Sequence, residues 1–494
     1  MPTDKIRALL LTDKTRKLLW WMLAFMFVAR VICSAIVPLT DTTEARYGEI
    51  ARKMLETGDW ITPQHDYGVP FWAKPPLSTW LSAFSMKLLG VNEFAARLPS
   101  LLLGIGMLTL VWQWTCARRG RDAALFTTAV LAGTALFFMA GGAVMTDSSL
   151  AFCTTLTMIA FWQALQPSSH LGAQRGWGYL FFVGLGIGLL AKGPLVGVLT
   201  FLPIIPWVLF RKNWSQVWRA LPWINGTLLM LAIGVPWYLI AEHKTPGFLA
   251  YFILGEHFGR FLNPGWDGDK YGHAHAEPLG MIWVFWLMSA FPWSLVFLAK
   301  IKTIMVQRSA WLRDDSGLIA YLLWWAFAPM AFFTFAHNVI WPYALPSLPA
   351  FAILFTELLQ RIDAPKKPLS VYLLSTSFIA PIVLLIVAAI YSVDHQTLLK
   401  SSQKATAELY LATRPSAASG LYYFRRRYYS GEFYSAGKAK VVNAQEIPTL
   451  FDNGVVDFLV IYQDDLETLT PELRAHFKPL RQFGDFVMLQ EIQN

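Results

Sequence analysis

The sequence predicts a polytopic all-α membrane protein with about eleven transmembrane helices, followed by a small soluble α/β domain at the C-terminal end. Three observations carry that expectation. The 494 residues are 55% hydrophobic and only 15% charged, where a soluble domain carries about 25% charge. The apolar residues fall in runs of about twenty, the length that crosses a hydrocarbon core. Charge is also unevenly divided: of 41 Lys+Arg and 32 Asp+Glu, residues 392–494 hold 11 and 12, leaving 30 and 20 for the rest. The net charge of +9 therefore belongs to the apolar part.

Apolar windows place the spans at 18–38, 94–115, 123–142, 148–166, 177–191, 194–210, 220–241, 279–299, 315–335, 339–360 and 369–391. Ahead of the first lie Lys5, Arg7, Lys14, Arg16 and Lys17. That run is too long for a signal peptide and no A-x-A site follows, so a retained span is expected. With the N-terminus inside, the cytoplasmic connections receive Arg118, Arg119 and Arg121; Arg175; Arg211, Lys212 and Arg219; Lys300, Lys302, Arg308 and Arg313; and Arg361, Lys366 and Lys367. Short basic loops on one side satisfy the positive-inside rule. The excess positive charge is thus a topology signal, and no contiguous basic stripe indicates nucleic-acid binding. Cys33, Cys116 and Cys153 are irregularly spaced, as neither a disulfide framework nor a zinc site would be.

Three polar pieces fall on the other side: loops at about 41–93 and 242–277, and the region after residue 391. Long ordered loops usually carry function. In the first, Tyr47, Ile50, Ala51, Met54 and Leu55 repeat at helical spacing up to Gly58, predicting an amphipathic helix in the outer interface. Turns at Pro63, Pro70 and Pro75-Pro76 precede a second helix over 77–89. The tail, 392–494, alternates β-type runs at 420–424, 439–442, 455–462 and 486–489 with helical stretches at 405–412 and 470–476.

Candidate chemistry gathers on this same side. Asp41 and Glu44, just past the first span, are carboxylates suited to general-base work, although their spacing equally serves a helix N-terminus. Lys74, before a rigid Pro-Pro turn, suits a phosphate; a lone Lys at this depth also contacts lipid headgroups. Arg260 offers a fork of donors for phosphate, and His257 shares its helical face at i, i+3. Asp147 at a span end is either functional or a cap. Tyr343 is either a ligand-orienting group or part of the aromatic belt. His273 and His275 invite a metal, but paired histidines in a polar loop are commonly just solvated. Two acids, two cations and an aromatic on one membrane face suit transfer chemistry on a lipid-borne phosphate.

The motifs Asp41-x-x-Glu44-x-Arg46-Tyr47, Gly58-Asp59-Trp60-x-x-Pro63, Lys74-Pro75-Pro76-Leu77, Arg97-Leu98-Pro99, Ala191-Lys192-Gly193-Pro194, Glu256-His257-Phe258-x-Arg260-Phe261 and Tyr343-x-Leu345-Pro346 together resemble the bacterial membrane glycosyltransferases of the GT-C fold. More narrowly, they resemble the protein mannosyltransferase-like group that includes the lipid A aminoarabinose transferases. The resemblance covers most of 1–391 and is weak in the tail. It implies a polyprenyl-phosphate sugar donor, undecaprenyl-linked, used at the outer (periplasmic) face of the cell inner membrane in an inverting transfer to an envelope acceptor such as lipid A. Asp41 would be the principal carboxylate, Glu44 and Asp147 supporting acids, and Lys74, Arg260, His257 and Tyr343 the phosphate-binding groups. Where the aminoarabinose transferases carry a Glu associated with a metal, this chain has Ala73. No metal or other cofactor is therefore expected, and the expected partners are the lipid donor, a lipid or glycan acceptor and membrane lipids.

Two rival classes make different demands. A lipid-linked sugar flippase or transporter would place its ionisable groups near the bilayer midplane, often at broken helices. A receptor or scaffold would bind its partner through the C-terminal region alone.

Overall fold

The computed structural model describes residues 11–166, 171–272, 275–312, 314, 316–361, 378–393, 401–451 and 453–492. Lys5, Arg7, His273, Arg313, Lys366, Lys367 and the start of the window at 369–391 lie outside the described residues. Each of the other predicted windows falls on a helix or a broken pair. These are α1 (Asp13–Ile36), α4 (Glu93–Arg119), α5 with α6 (Arg121–Ala132, Ala135–Ala140), α7 (Thr146–Ala164), α8 (Leu171–Lys192), α9 (Leu195–Arg211), α11 (Trp223–Lys244), α13 with α14 (Met281–Ser289, Trp293–Val306), α16 (Leu318–Phe333) and α17 (Leu348–Arg361). A last apolar helix runs Ile379–Val393, and a short α10 (Trp214–Ala220) precedes α11. Among the described residues four helices are each long and apolar enough to cross a membrane.

The breaks have identifiable causes. The window at 279–299 is expected as one span, but α13 and α14 meet at 105°. Pro292, at the start of α14, has no N–H to continue the helix of α13. Between α8 and α9 the chain turns at Gly193, whose φ of 68° favours glycine, and Pro194 starts the next helix. The apolar faces close into one continuous core that includes Trp162, Tyr321, Phe351 and Trp293.

At one end of this bundle the first loop forms α2 (Thr43–Thr57), a hairpin of β1 (Gln64–Asp66) and β2 (Val69–Pro70), and α3 (Leu77–Leu89). Gly58 ends α2 in the left-handed conformation expected of a C-terminal glycine. The expectation that α2 lies in the membrane interface is corrected. Its charged face is buried: Glu49, Arg52 and Lys53 are 0%, 5% and 1% exposed. The reason lies in the tail, where the short helix Tyr429–Tyr434 presents Glu432 to Lys53 at 2.9 Å.

The tail forms a five-stranded sheet in the order β4-β3-β5-β7-β6. β3 (Leu421–Phe424) pairs in parallel with β4 (Ala439–Val442) and β5 (Phe458–Tyr462), and β7 (Phe486–Glu491) runs antiparallel between β5 and β6 (Phe477–Phe483). The helices Lys404–Thr413 and Pro471–Ala475 match the helical stretches read from sequence. β6 is the strand not foreseen: Pro479, Lys478 and Arg481 depress its signal, as is usual on a sheet edge.

Candidate active site

Three separated segments converge at the end of the bundle that carries α2. The first is the turn before α3, which supplies Lys74. The second is the junction of α8 and α9, which supplies Lys192. The third is a π-helical stretch, Ala250–Gly259, continuing into α12 (Arg260–Leu262). A π-helix wraps extra residues into each turn and recurs at functional sites. Here it carries Phe252, Glu256 and His257 against the α8/α9 junction. The contact is close enough to demand glycine: a Cβ at Gly193 would lie 2.6 Å from the Phe252 ring and 3.3 Å from His257.

These segments enclose a cavity of about 470 Å³. Part of the lining is apolar, with Leu195, Val198, Phe261, Phe332 and Phe333. Another part is ionic. Lys74 Nζ lies 2.8 Å from Glu256 Oε2, and Arg260 Nη1 lies 3.0 Å from the same oxygen. Arg260 also reaches Asp269 at 3.4 Å, while its buried Nε has no partner. Burial alone would raise the Glu256 carboxyl, but the two cations beside it prevail and hold it at about 2. Burial, helped by Lys74, moves His257 downward and so favours the neutral ring, whose Nδ1 sits 2.8 Å from the Phe252 carbonyl. Lys192 Nζ pairs with Asp147 at 2.5 Å and stands 4.4 Å over the Tyr343 ring.

The structure thus brings Lys74, His257, Arg260 and Tyr343 together in one cavity wall. Asp147 joins them indirectly, by holding Lys192. It lies in the first turn of α7, as a cap would, yet its carboxylate is spent on that lysine. Lys192 and Glu256 were not foreseen as site residues. Their signals were present in a lysine between two apolar windows and a carboxylate four residues before Arg260.

Asp41 and Glu44 sit apart from the cavity lining. Glu44 is clamped by Arg97 through two bonds of 2.8 Å and accepts from the Val144 N–H. Asp41 does not cap α2; it accepts from the backbone N–H and the hydroxyl of Ser430, in the tail. Burial raises the Asp41 carboxyl to about 6 in spite of those bonds.

A resident metal does not fit these residues. Ala73 is buried and offers no ligand, and among the described residues no three His, Cys, Asp or Glu side chains gather as a metal site.

A family model described as dolichyl-phosphate-mannose-protein mannosyltransferase matches residues 15–252. Two undecaprenyl phosphate-alpha-4-amino-4-deoxy-L-arabinose arabinosyl transferases, from Enterobacter sp. (strain 638) and Sodalis glossinidius, are 29% and 30% identical over 340 and 325 residues. These matches cover 67% and 65% of this chain but only 58% and 55% of the relatives. The crystal structure of ArnT from Cupriavidus metallidurans bound to undecaprenyl phosphate shares the fold, with a TM-score of 0.78 at 19% identity over 96% of this chain and 98% of that one. The chain is thus similar to the protein mannosyltransferases over residues 15–252 and to the aminoarabinose transferases over about two thirds of its length, and it shares the fold of the Cupriavidus structure. In GT-C terms, the sequence expectation of a polytopic helical membrane fold holds. The chain spans less than two thirds of the length of the curated relatives it matches.

Proposed function

We propose that this protein is a glycosyltransferase that moves a sugar from a polyprenyl phosphate, undecaprenyl phosphate in particular, to an envelope acceptor such as lipid A. The observation that carries the reading is the cavity itself, whose lining combines apolar side chains with Lys74, Arg260 and Lys192. An isoprenoid chain fits the former and its phosphate the latter. The printed names of the relatives, and the undecaprenyl phosphate bound to the Cupriavidus protein, support the same donor class.

In the proposed reaction the bond between the sugar's anomeric carbon and the phosphate oxygen breaks, and the acceptor oxygen attacks the opposite face. Negative charge grows on the departing phosphate. Lys74 and Arg260 are fixed where that charge develops, so they stabilise the transition state with little reorganisation. Glu256 holds both cations in place, and Asp147 does the same for Lys192. A hydroxyl acceptor would lose its proton to Asp41; a phosphate acceptor needs no base, and Asp41 and Glu44 would then organise its entry. Orientation follows the basic loops: the cavity and the tail face the periplasm, and 392–494 form an extracytoplasmic domain. A flippase reading is less well supported, because the ionisable groups cluster at one end of the spans and in loops rather than along a midplane path.

The test is transfer of radiolabelled sugar from synthetic undecaprenyl-phosphate aminoarabinose to lipid A by the purified protein. Lys74→Ala is expected to cut kcat/KM by about 100-fold or more, the scale of losing one donor to developing charge. Lys74→Arg should retain part of the activity. Full transfer by a folded Lys74→Ala protein would sink the assignment.

A further inference from the structure

A second cavity of about 240 Å³ lies between α1, α4 and α5/α6, and the proposed reaction does not use it. It is lined by the apolar side chains of Leu23, Phe27, Leu101, Ile105 and Leu108 together with the small residues Gly104, Ala132 and Gly141. Phe27 and Ile105 on its rim are exposed at the apolar surface of the helices, so the groove opens sideways. Such a groove with purely apolar walls would need no further account, but this one contains Arg30.

Arg30 is 7% exposed and lines the cavity. Its Nη2 donates to the Gly142 carbonyl, and its guanidinium lies 5.6 Å from the centre of the Phe138 ring. Nε and Nη1 are buried without a hydrogen-bond partner, and no carboxylate among the described residues lies within ion-pair distance. The nearby Glu44 is committed to Arg97 at 2.8 Å. Thr128, 7% exposed on the same wall, also has a hydroxyl with no partner. The chain accommodates the guanidinium closely: a Cβ at Gly142 would fall 1.7 Å from Arg30 Nε. A buried cation with free donors in a membrane-facing groove is costly unless an anion completes it.

We propose that this groove binds one anionic glycerophospholipid, with an acyl chain in the apolar slot and the headgroup phosphate on Arg30. Three features select that occupant. The groove opens toward lipid, the only charged residue lining it among the described residues is cationic, and its volume is about half that of the 470 Å³ cavity. The first two demand an amphiphilic anion; the third suits a single acyl chain better than a long polyprenyl. Arg30 lies six residues before the end of α1, or about 9 Å along its axis. That depth is within reach of the headgroup level for a long side chain.

The test is lipid retention. Wild-type protein is reconstituted with equal phosphatidylglycerol and phosphatidylcholine, re-extracted in mild detergent, and its retained lipid counted by mass spectrometry. Wild type should keep phosphatidylglycerol in preference, Arg30→Met should reduce that preference at least ten-fold, and Arg30→Lys should restore part of it. Gly104→Leu provides a second arm that keeps the cation. A Cβ there makes only ordinary contacts of 3.9 Å, so the larger side chain fills the slot and should expel the lipid. Wild-type retention in a folded Arg30→Met or Gly104→Leu protein would overturn the proposal. So would equal retention of phosphatidylcholine, or replacement of phosphatidylglycerol by added undecaprenyl phosphate in a Lys74→Met background.

Discussion

Asp41 is the residue whose titration is most informative. Its neighbours at the α2 end of the bundle are fixed by strong pairing: Glu256 is held at about 2 between two cations, and Glu44 is moved down by Arg97 in spite of its burial. Neither can exchange a proton near neutrality. Burial prevails at Asp41, whose bonds come from the neutral donors of Ser430 and the Tyr429 backbone and which has the negative Glu432 nearby, so its carboxyl rises to about 6. The folded protein holds that proton more tightly than the unfolded chain. Its contribution to stability is therefore fully present below the unfolded value of 3.8 and is lost as pH rises through about 6. For function the direction is opposite, since the proposed proton acceptor must be ionised. Transfer to a hydroxyl acceptor is expected to fall as pH drops through about 6, and kcat/KM measured against pH should show that limb. Asp41→Asn should lower the plateau and abolish the limb. A folded Asp41→Asn protein with an unchanged profile would remove Asp41 from the chemistry.

At the scale of elements, α2 and the helix Tyr429–Tyr434 are joined by a buried charge network. Arg52 grips Glu49 through bonds of 2.7 and 2.8 Å, while Glu432 receives both Lys53 at 2.9 Å and Arg427 at 2.5 Å. The two partners of Glu432 are unequal in what they can lose. Lys53 is 1% exposed and otherwise has the neutral His65 carbonyl at 3.1 Å, with Glu49 at 3.6 Å and Asp66 at 3.8 Å as its remaining anionic contacts. Glu432→Ala leaves both cations poorly compensated and should destabilise the protein by about 3–5 kcal/mol, the scale of orphaning a buried charge. Lys53→Met leaves Glu432 with Arg427 and Glu49 with Arg52, and should cost clearly less. Thermal unfolding in detergent of both single variants and the double variant checks the order, and a cheaper Glu432→Ala would refute it. Sequence periodicity showed where α2 begins and ends but gave the wrong surroundings for its polar face. A charged stripe looks the same whether it faces water, lipid headgroups or opposite charges nearly 380 residues away in the chain.

For the whole molecule, the legible part was what depends on local composition: the apolar windows and most strands of the tail. What stayed hidden depends on chain segments meeting in space. Lys192 reads as a break between helices until Asp147 and Tyr343 close around it, and Arg30 reads as a stray cation in α1 until Gly142 makes room for it. The same distinction bears on orientation. The basic excess predicts which ends of the helices stay in the cytoplasm, and the proposed orientation puts the cavity and the sheet together on the far side. Labelling of introduced cysteines with a membrane-impermeant maleimide tests this in cells with a permeabilised outer membrane. Of the native thiols, Cys33 and Cys153 are buried and Cys116 is half-buried, so Cys116→Ser gives a quiet background. Asp267→Cys in the second outer loop and Asp464→Cys in the tail are both at exposed positions, and both should label in these cells while the inner membrane is intact. Ser215→Cys, exposed on α10 between the basic residues Lys212 and Arg219, should label only after lysis. Because both outer positions are required to label together, a split result between Asp267→Cys and Asp464→Cys would refute the shared location of cavity and tail. Reversal of all three would refute the reading of the charge.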